Sequence, residues 1–139
     1  MFRHVLVAFD ASEAASRAFD VALGMAELTG AKLTVLSVAQ VPEFVETVNE
    51  LNDATEAARG LLQAAMRRLL VRAEAGRTTV ETRLEVGHPA DRILAFAEEH
   101  GVDLIVMGRR GLSGISRWVL GSVSDRVLHH AHCPVLIVR

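Results

Sequence analysis

A regular change of hydrophobic period constrains this chain more than any other feature. The runs His4-Val5-Leu6-Val7-Ala8-Phe9, Leu33-Thr34-Val35-Leu36-Ser37-Val38, Leu104-Ile105-Val106-Met107 and Val135-Leu136-Ile137-Val138 are apolar and β-branched almost without interruption. A strand with one wet face alternates, whereas a strand covered on both faces does not, so these four runs predict central strands of a parallel sheet. Thr79 to Val86 differs: Val80, Thr82, Leu84 and Val86 fall on one side and Glu81, Arg83 and Glu85 on the other. That alternation predicts an edge strand. Between the strands, apolar residues recur every three or four positions. Ala11, Ala15, Ala18, Ala22 and Met25 form one stripe, and Ala54, Ala58, Leu61, Ala65 and Leu69 another, each predicting an amphipathic helix. Ile93, Leu94 and Ala97 mark a shorter third helix, and Val123, Val127 and Ala131 a fourth. Gly30, Gly76 and Gly101 stand where helix gives way to strand, positions at which a residue of positive φ can close the helix. Pro89 suits the first turn of the third helix. The stretch from Gln40 to Asn52 fits neither period and reads as a loop or an irregular start of a helix.

The sum is β-α-β-α-β-α-β-α-β: an α/β fold with a doubly wound five-stranded parallel sheet and helices on both faces. No linker, low-complexity tract or strong repeat interrupts the alternation, so residues 1–139 are expected to form a single domain, long enough to bury a core unaided. Fifteen basic residues against seventeen acidic ones give a formal charge of −2. Such a balance supplies no general attraction to nucleic acid or to an anionic membrane, and neither is expected as a partner. Any anion site must be local. No apolar run approaches the roughly 20 residues that span a bilayer, and the opening run stops at Asp10, too early for a signal-peptide core. Cys133 stands alone, which agrees with a reducing compartment. The expected location is cytoplasmic.

The most informative segment is Gly108-Arg109-Arg110-Gly111-Leu112-Ser113-Gly114-Ile115-Ser116-Arg117-Trp118-Val119-Leu120-Gly121-Ser122-Val123-Ser124. It begins where the fourth strand ends and finishes where the fourth helix begins, at the carboxyl edge of the sheet, where doubly wound folds bind ligands. Gly108 and Gly111 lack a Cβ, which lets main-chain N–H groups approach an oxygen-rich ligand. Gly121, Ser122 and Ser124 then open a helix whose free N–H groups and dipole favour phosphate. Arg109, Arg110 and Arg117 add positive charge nearby. A polyphosphate is the natural ligand. Helix capping is the competing reading, because Ser122-x-x-Asp125 and Asp10-x-x-Glu13 both have capping-box spacing. A Walker loop is excluded, since the chain's one lysine is Lys32, at the start of the second strand. A dinucleotide fingerprint is missing from Phe9-Asp10-Ala11-Ser12-Glu13, where G-x-G-x-x-G would have to stand.

The spacing Gly108-x2-Gly111-x9-Gly121-Ser122, the opening Val5 to Asp10 with Ser12, the Gly87-x-Pro89 junction and the ending Ala131-His132-Cys133-Pro134 into Val135 to Val138 together resemble the universal stress protein family over essentially the whole chain. That resemblance implies an adenine nucleotide alpha hydrolase-like domain with sheet order 3-2-1-4-5. It also implies membership of the family's ATP-binding branch, with Mg²⁺ held through the phosphates. Carried onto this sequence, it places Ala8 and Val38 against adenine, Asp10 at the ribose or adenine side, and Met107 and Gly108 at the ribose end. Gly111, Gly121, Ser122, Val123 and Ser124 fall to the phosphates, with Arg109 a possible clamp beside them. Three positions depart from the family pattern: Ala8 stands for a frequent proline, Ala11 for a common glycine, and Arg109 for a small or hydroxyl residue.

Other chemistry is thin in the sequence. His129, His130, His132 and Cys133 are metal-capable, yet consecutive side chains at a helix end rarely face one point, and no metal site is expected. His88 before Pro89 reads as a helix start, and Trp118 as local packing or a cover for ligand or partner. No nucleophile triad or metal-hydrolase helix motif appears, so no catalytic residue is expected. The leading expectation is an adenine-nucleotide-binding stress-response regulator whose occupancy alters its conformation or partners. A nucleotide-independent dimeric interaction module and a weak ATPase are the alternatives. A homodimer through the terminal strand is expected, and the protein partner stays unknown.

Overall fold

The computed structural model describes residues 1–42, 44–109 and 121–139. Its elements run in order β1 (His4–Ala8), α1 (Glu13–Thr29), β2 (Lys32–Ala39), α2 (Val48–Ala73), β3 (Val80–Val86), α3 (Pro89–Glu99), β4 (Leu104–Gly108), α4 (Ser122–His130) and β5 (Val135–Val138). The five strands form one parallel sheet in the order β3-β2-β1-β4-β5. Alternate strand residues divide the core between the two faces. Val5, Val7, Leu33, Val35, Leu104 and Val106 pack beneath α1 and α2, with Ala18, Phe19, Ala22 and Leu69 from the helices. Leu6, Leu36, Ile105 and Met107 pack beneath α3 and α4, with Ile93, Phe96 and Val127. Strands buried on both faces can afford no polar alternation, which is why the sequence shows none.

Several sequence expectations change in detail. Val135–Val138 forms an edge, not a central strand, and its four residues are half-buried. An unbroken apolar run reports covered faces and carries no information about the lateral neighbour. Leu61, assigned to the buried stripe of the second helix, is 74% exposed. The buried residues of α2 begin only at Ala65 and continue through Met66, Leu69 and Ala73, because the first half of this helix, about 39 Å long in all, contributes nothing to the core. Its start is regular: Thr47 is the N-cap and accepts a hydrogen bond from the Glu50 amide at 3.1 Å. In α1 the stripe runs through Ala15, Ala18, Ala22 and Ala26 in place of Met25, and Ala11 lies outside the helix at φ 69°. Gly30 and Gly101 close helices at positive φ; Gly76 is not at positive φ, and α2 ends on Glu74 in helical geometry.

Candidate functional site

At the carboxyl ends of β1, β2 and β4 the sheet opens onto a cleft of about 280 Å³. The strand order reverses direction here. The chain leaves β1 to wind towards β2 and β3, and later returns to place β4 on the opposite side of β1. Such a switch point splays the flanking connections apart and leaves a crevice between them.

The first wall is the β1–α1 turn. Ser12, not Asp10, is the N-cap of α1: its hydroxyl accepts from the Ala15 amide at 3.1 Å. Asp10 stands two residues earlier and its Oδ1 accepts from the Ser12 amide at 3.0 Å, which folds the turn and keeps the carboxylate on the rim of the cleft. Ala11 between them is forced into the left-handed region, where a Cβ costs about 1–2 kcal/mol. The sequence departure at this position is therefore a strained one.

The second wall is β2, which outruns β1. In a parallel ladder the N–H and C=O of one residue point to the same neighbouring strand and those of the next residue to the other. Lys32 donates to the Arg3 carbonyl at 3.0 Å, and the Leu36 carbonyl accepts from the Phe9 amide at 2.9 Å, so residues 32, 34 and 36 turn towards β1. Leu33 donates to the Thr79 carbonyl at 3.3 Å, and Ala39 accepts from the Gly87 amide at 3.0 Å, so the odd residues turn towards β3. The β1–β2 register ends at the pair Ala8 and Leu36. Val38, two residues further on, thus directs its amide and its carbonyl into the cleft, one donor and one acceptor side by side above the apolar Ala8, Leu36 and Ile93.

The third wall joins β4 to α4. Gly108 ends β4, and a methyl group there would lie 2.8 Å from the Ala14 Cβ, 2.9 Å from the Ala14 carbonyl carbon and 3.0 Å from the Ala15 nitrogen. The missing Cβ serves the close approach of α1, so this glycine fixes the width of the cleft from behind. Ser124 is buried and donates its hydroxyl to the Gly108 carbonyl at 2.8 Å. The Gly121 amide donates to the Arg109 carbonyl at 3.0 Å, which clasps the two ends of the intervening segment together. Gly121 is the N-cap of α4 and supplies no side-chain cap, and Ser122 is the first helical residue, not the capping residue its spacing suggests. The first intrahelical acceptor at this end, the Gly121 carbonyl, receives the Asp125 amide at 2.9 Å. The amides of Ser122, Val123 and Ser124 precede that bond and have no place in the helical ladder. All three residues line the cleft.

Of the residues singled out in the sequence, Ala8, Asp10, Val38, Met107, Gly108, Gly121, Ser122, Val123 and Ser124 are brought together around this one space. Arg109 is not among the lining residues; its amide turns away, to the Val138 carbonyl at 2.7 Å. Gly111, Arg110, Arg117 and Trp118 lie outside the described residues. His88 precedes α3 and does not line the cleft. Among the described residues no three His, Cys, Asp or Glu side chains converge as a metal site would require; His129 instead donates from Nδ1 to the Asp125 carbonyl at 2.8 Å. Cys133 is half-buried, and that burial, with Asp103 nearby, holds its thiol above the ordinary range. Among the described residues no helix is long and apolar enough to cross a membrane. Sequence reasoning missed Ser12 as the cap and Gln40 as a lining residue. Strand parity is a signal that finds Gln40, because it continues the row Leu36, Val38 one step past the sheet.

A doubly wound sheet whose switch-point cleft joins an apolar floor to a helix start without a side-chain cap defines an open α/β domain, the class that binds ligands at its carboxyl edge. Comparison with known proteins narrows that class. The family model described as the universal stress protein family matches residues 1–139, and the chain belongs to that family. It is 38% identical over 142 residues to a putative universal stress protein of Staphylococcus haemolyticus, a match covering 99% of this chain and 85% of the relative. The solved universal stress protein UspA from Lactobacillus plantarum superposes with a TM-score of 0.93 at 29% identity, over 99% of this chain and 98% of that one. A universal stress protein crystallised in complex with cAMP superposes with a TM-score of 0.76 at 31% identity, over 99% of this chain and 97% of that one.

Proposed function

We propose that this protein binds an adenine nucleotide, ATP in the first instance, in the cleft at the carboxyl edge of its sheet, and that it acts as a stress-response regulator and not as an enzyme. One observation carries the reading: a single cleft holds both the outward amide and carbonyl of Val38 over an apolar floor and the first amides of α4, which have no acceptor within the helical ladder. The first pair matches the acceptor and donor on the Watson–Crick edge of adenine, and Ala8 and Ile93 offer the base an apolar seat. The second set suits phosphate oxygens, which gain from main-chain donors and from the positive end of the helix dipole. Asp10 lies where its carboxylate accepts from ribose hydroxyls, and Met107 and Gly108 close the ribose end. Ser122, with an exposed hydroxyl, adds a donor beside the phosphates. Mg²⁺ would be held through the nucleotide's phosphates and would offset part of their charge. The cAMP complex of a 31% identical relative supports the ligand class.

Regulation then follows from occupancy: filling the cleft bridges β2 to the start of α4, so that surfaces around both report the ligand to a partner in the cytoplasm. An apolar edge at β5 supports a homodimer built by pairing that strand with its copy; light scattering on the purified protein should give twice the chain mass, and a monomer at working concentration would refute it. Titration calorimetry with ATP, AMP, cAMP and GTP tests the binding reading. Micromolar binding of an adenine nucleotide, lost in Gly121→Val with the circular dichroism spectrum retained, is the expected result. Absence of binding by every nucleotide would leave a nucleotide-independent interaction module, and rapid phosphate release from ATP would make the protein an ATPase.

A further inference from the structure

We infer that Gln40 is a specificity-determining residue of this cleft, and that its side-chain amide reads the N6/N7 edge of adenine while the Val38 main chain reads the N1/N6 edge. The inference rests on the nucleotide reading above and deepens it. Polarity fixes how a base can sit on Val38. Adenine N1 is an acceptor and must face the Val38 amide; the N6 amino group is a donor and must face the Val38 carbonyl. Along β2 the carbonyl lies on the carboxyl-terminal side of the amide. The perimeter of the purine therefore runs from N1 through N6 to N7 in the direction of Ala39 and Gln40. Gln40 has the same parity as Leu36 and Val38 and lines the same cleft, so the N7 corner is carried towards its side chain.

Its chemistry fits that corner. A glutamine amide pairs with adenine through two bonds, Nε2–H to N7 and N6–H to Oε1. The N6 group has two hydrogens, so one goes to the Val38 carbonyl and the other to Gln40 without competition. Of the other polar side chains of the cleft, Ser12 caps α1, Ser124 bonds Gly108 and Asp10 bonds the Ser12 amide, while Ser122 stands at the start of α4, at the phosphate end. Gln40 is exposed and its amide makes no bond among the described residues. A 6-oxo purine offers no N6 donor and sets its O6 against the Val38 carbonyl, so it loses both contacts at once.

The test pairs one change in the protein with one in the ligand. Calorimetry should show wild-type protein binding 7-deaza-ATP, in which carbon replaces N7, about tenfold more weakly than ATP. Gln40→Leu should bind ATP about tenfold more weakly than wild type and should no longer distinguish ATP from 7-deaza-ATP. Gln40→Glu, which keeps the size but loses the donor, should be equally blind to N7. Equal binding of the two ligands by wild type, or a preference for ATP that survives in Gln40→Leu, would overturn the assignment while leaving the nucleotide reading intact. Failure of wild type to bind either ligand would overturn both.

Discussion

Replacing Gly108 by alanine isolates the contact that sets the cleft's rear wall. The added methyl would meet the Ala14 Cβ at 2.8 Å, the Ala14 carbonyl carbon at 2.9 Å and the Ala15 nitrogen at 3.0 Å. Two of these are main-chain atoms, so no side-chain rotation relieves the overlap and the first turn of α1 must move. That turn is held by the Ser12 cap and the Asp10 to Ser12 bond, and Ala15 beneath it is buried. Overpacking of this kind costs about 1–3 kcal/mol, a fall in melting temperature of roughly 3–10 °C for a chain of this size. Gly24→Ala is the internal control, since nothing lies within 4 Å of its added methyl and it sits inside α1. There the lost backbone entropy of glycine favours alanine by about 0.5–1 kcal/mol. Thermal denaturation followed by circular dichroism should therefore move in opposite directions for the two variants. Gly108→Ala should also weaken ATP binding, because Asp10 and Ser12 travel with the displaced turn. A Gly108→Ala protein as stable as wild type would refute the packing argument.

Ala11→Gly should raise stability by about 0.5–1 kcal/mol, the relief of the left-handed strain less the added freedom of the unfolded chain; an unchanged or lower denaturation midpoint in urea would contradict it. Ser12→Ala should lower stability by about 1 kcal/mol through loss of the helix cap, measured by the same unfolding curve, with a shift below a few tenths showing that Asp10 substitutes for it. The raised Cys133 thiol should alkylate with iodoacetamide more slowly at pH 8 than the same cysteine in urea. Because its folded value lies above its unfolded value, stability linked to it is complete below the unfolded value and falls as pH rises through the folded one. A Cys133→Ser variant should lose that alkaline slope, and a slope equal to that of wild type would refute the assignment.

The strands, the helices and the layering were legible because continuous apolar runs and helical stripes reflect burial directly; the strand order came from family likeness alone, since an apolar run says nothing of its lateral neighbour. What was not legible depended on termini and on neighbours far along the chain. Ser12 and Asp10 both have capping side chains, and only the turn through Ala11 decides that Ser12 takes the helix. Leu61 matches a helical stripe, but its stretch of α2 contributes nothing to the core. Gly108 was read as making room for a ligand, and the atoms it makes room for belong to α1, ninety-odd residues earlier in the chain. Val38 was placed against adenine through family likeness; the physical ground, a strand that outlasts its neighbour by one ladder step, comes from the register.

The two margins of the sheet are chemically unlike. β3 carries Glu81, Arg83 and Glu85, with Lys32 on Glu81 at 2.7 Å, whereas β5 reads Val-Leu-Ile-Val. Growth by edge joining can therefore start on one side only. In the proposed dimer the joined β5 edges would be covered and each copy would present its charged β3 border outward, so that a ribbon of ten strands would end there instead of running on into a fibre.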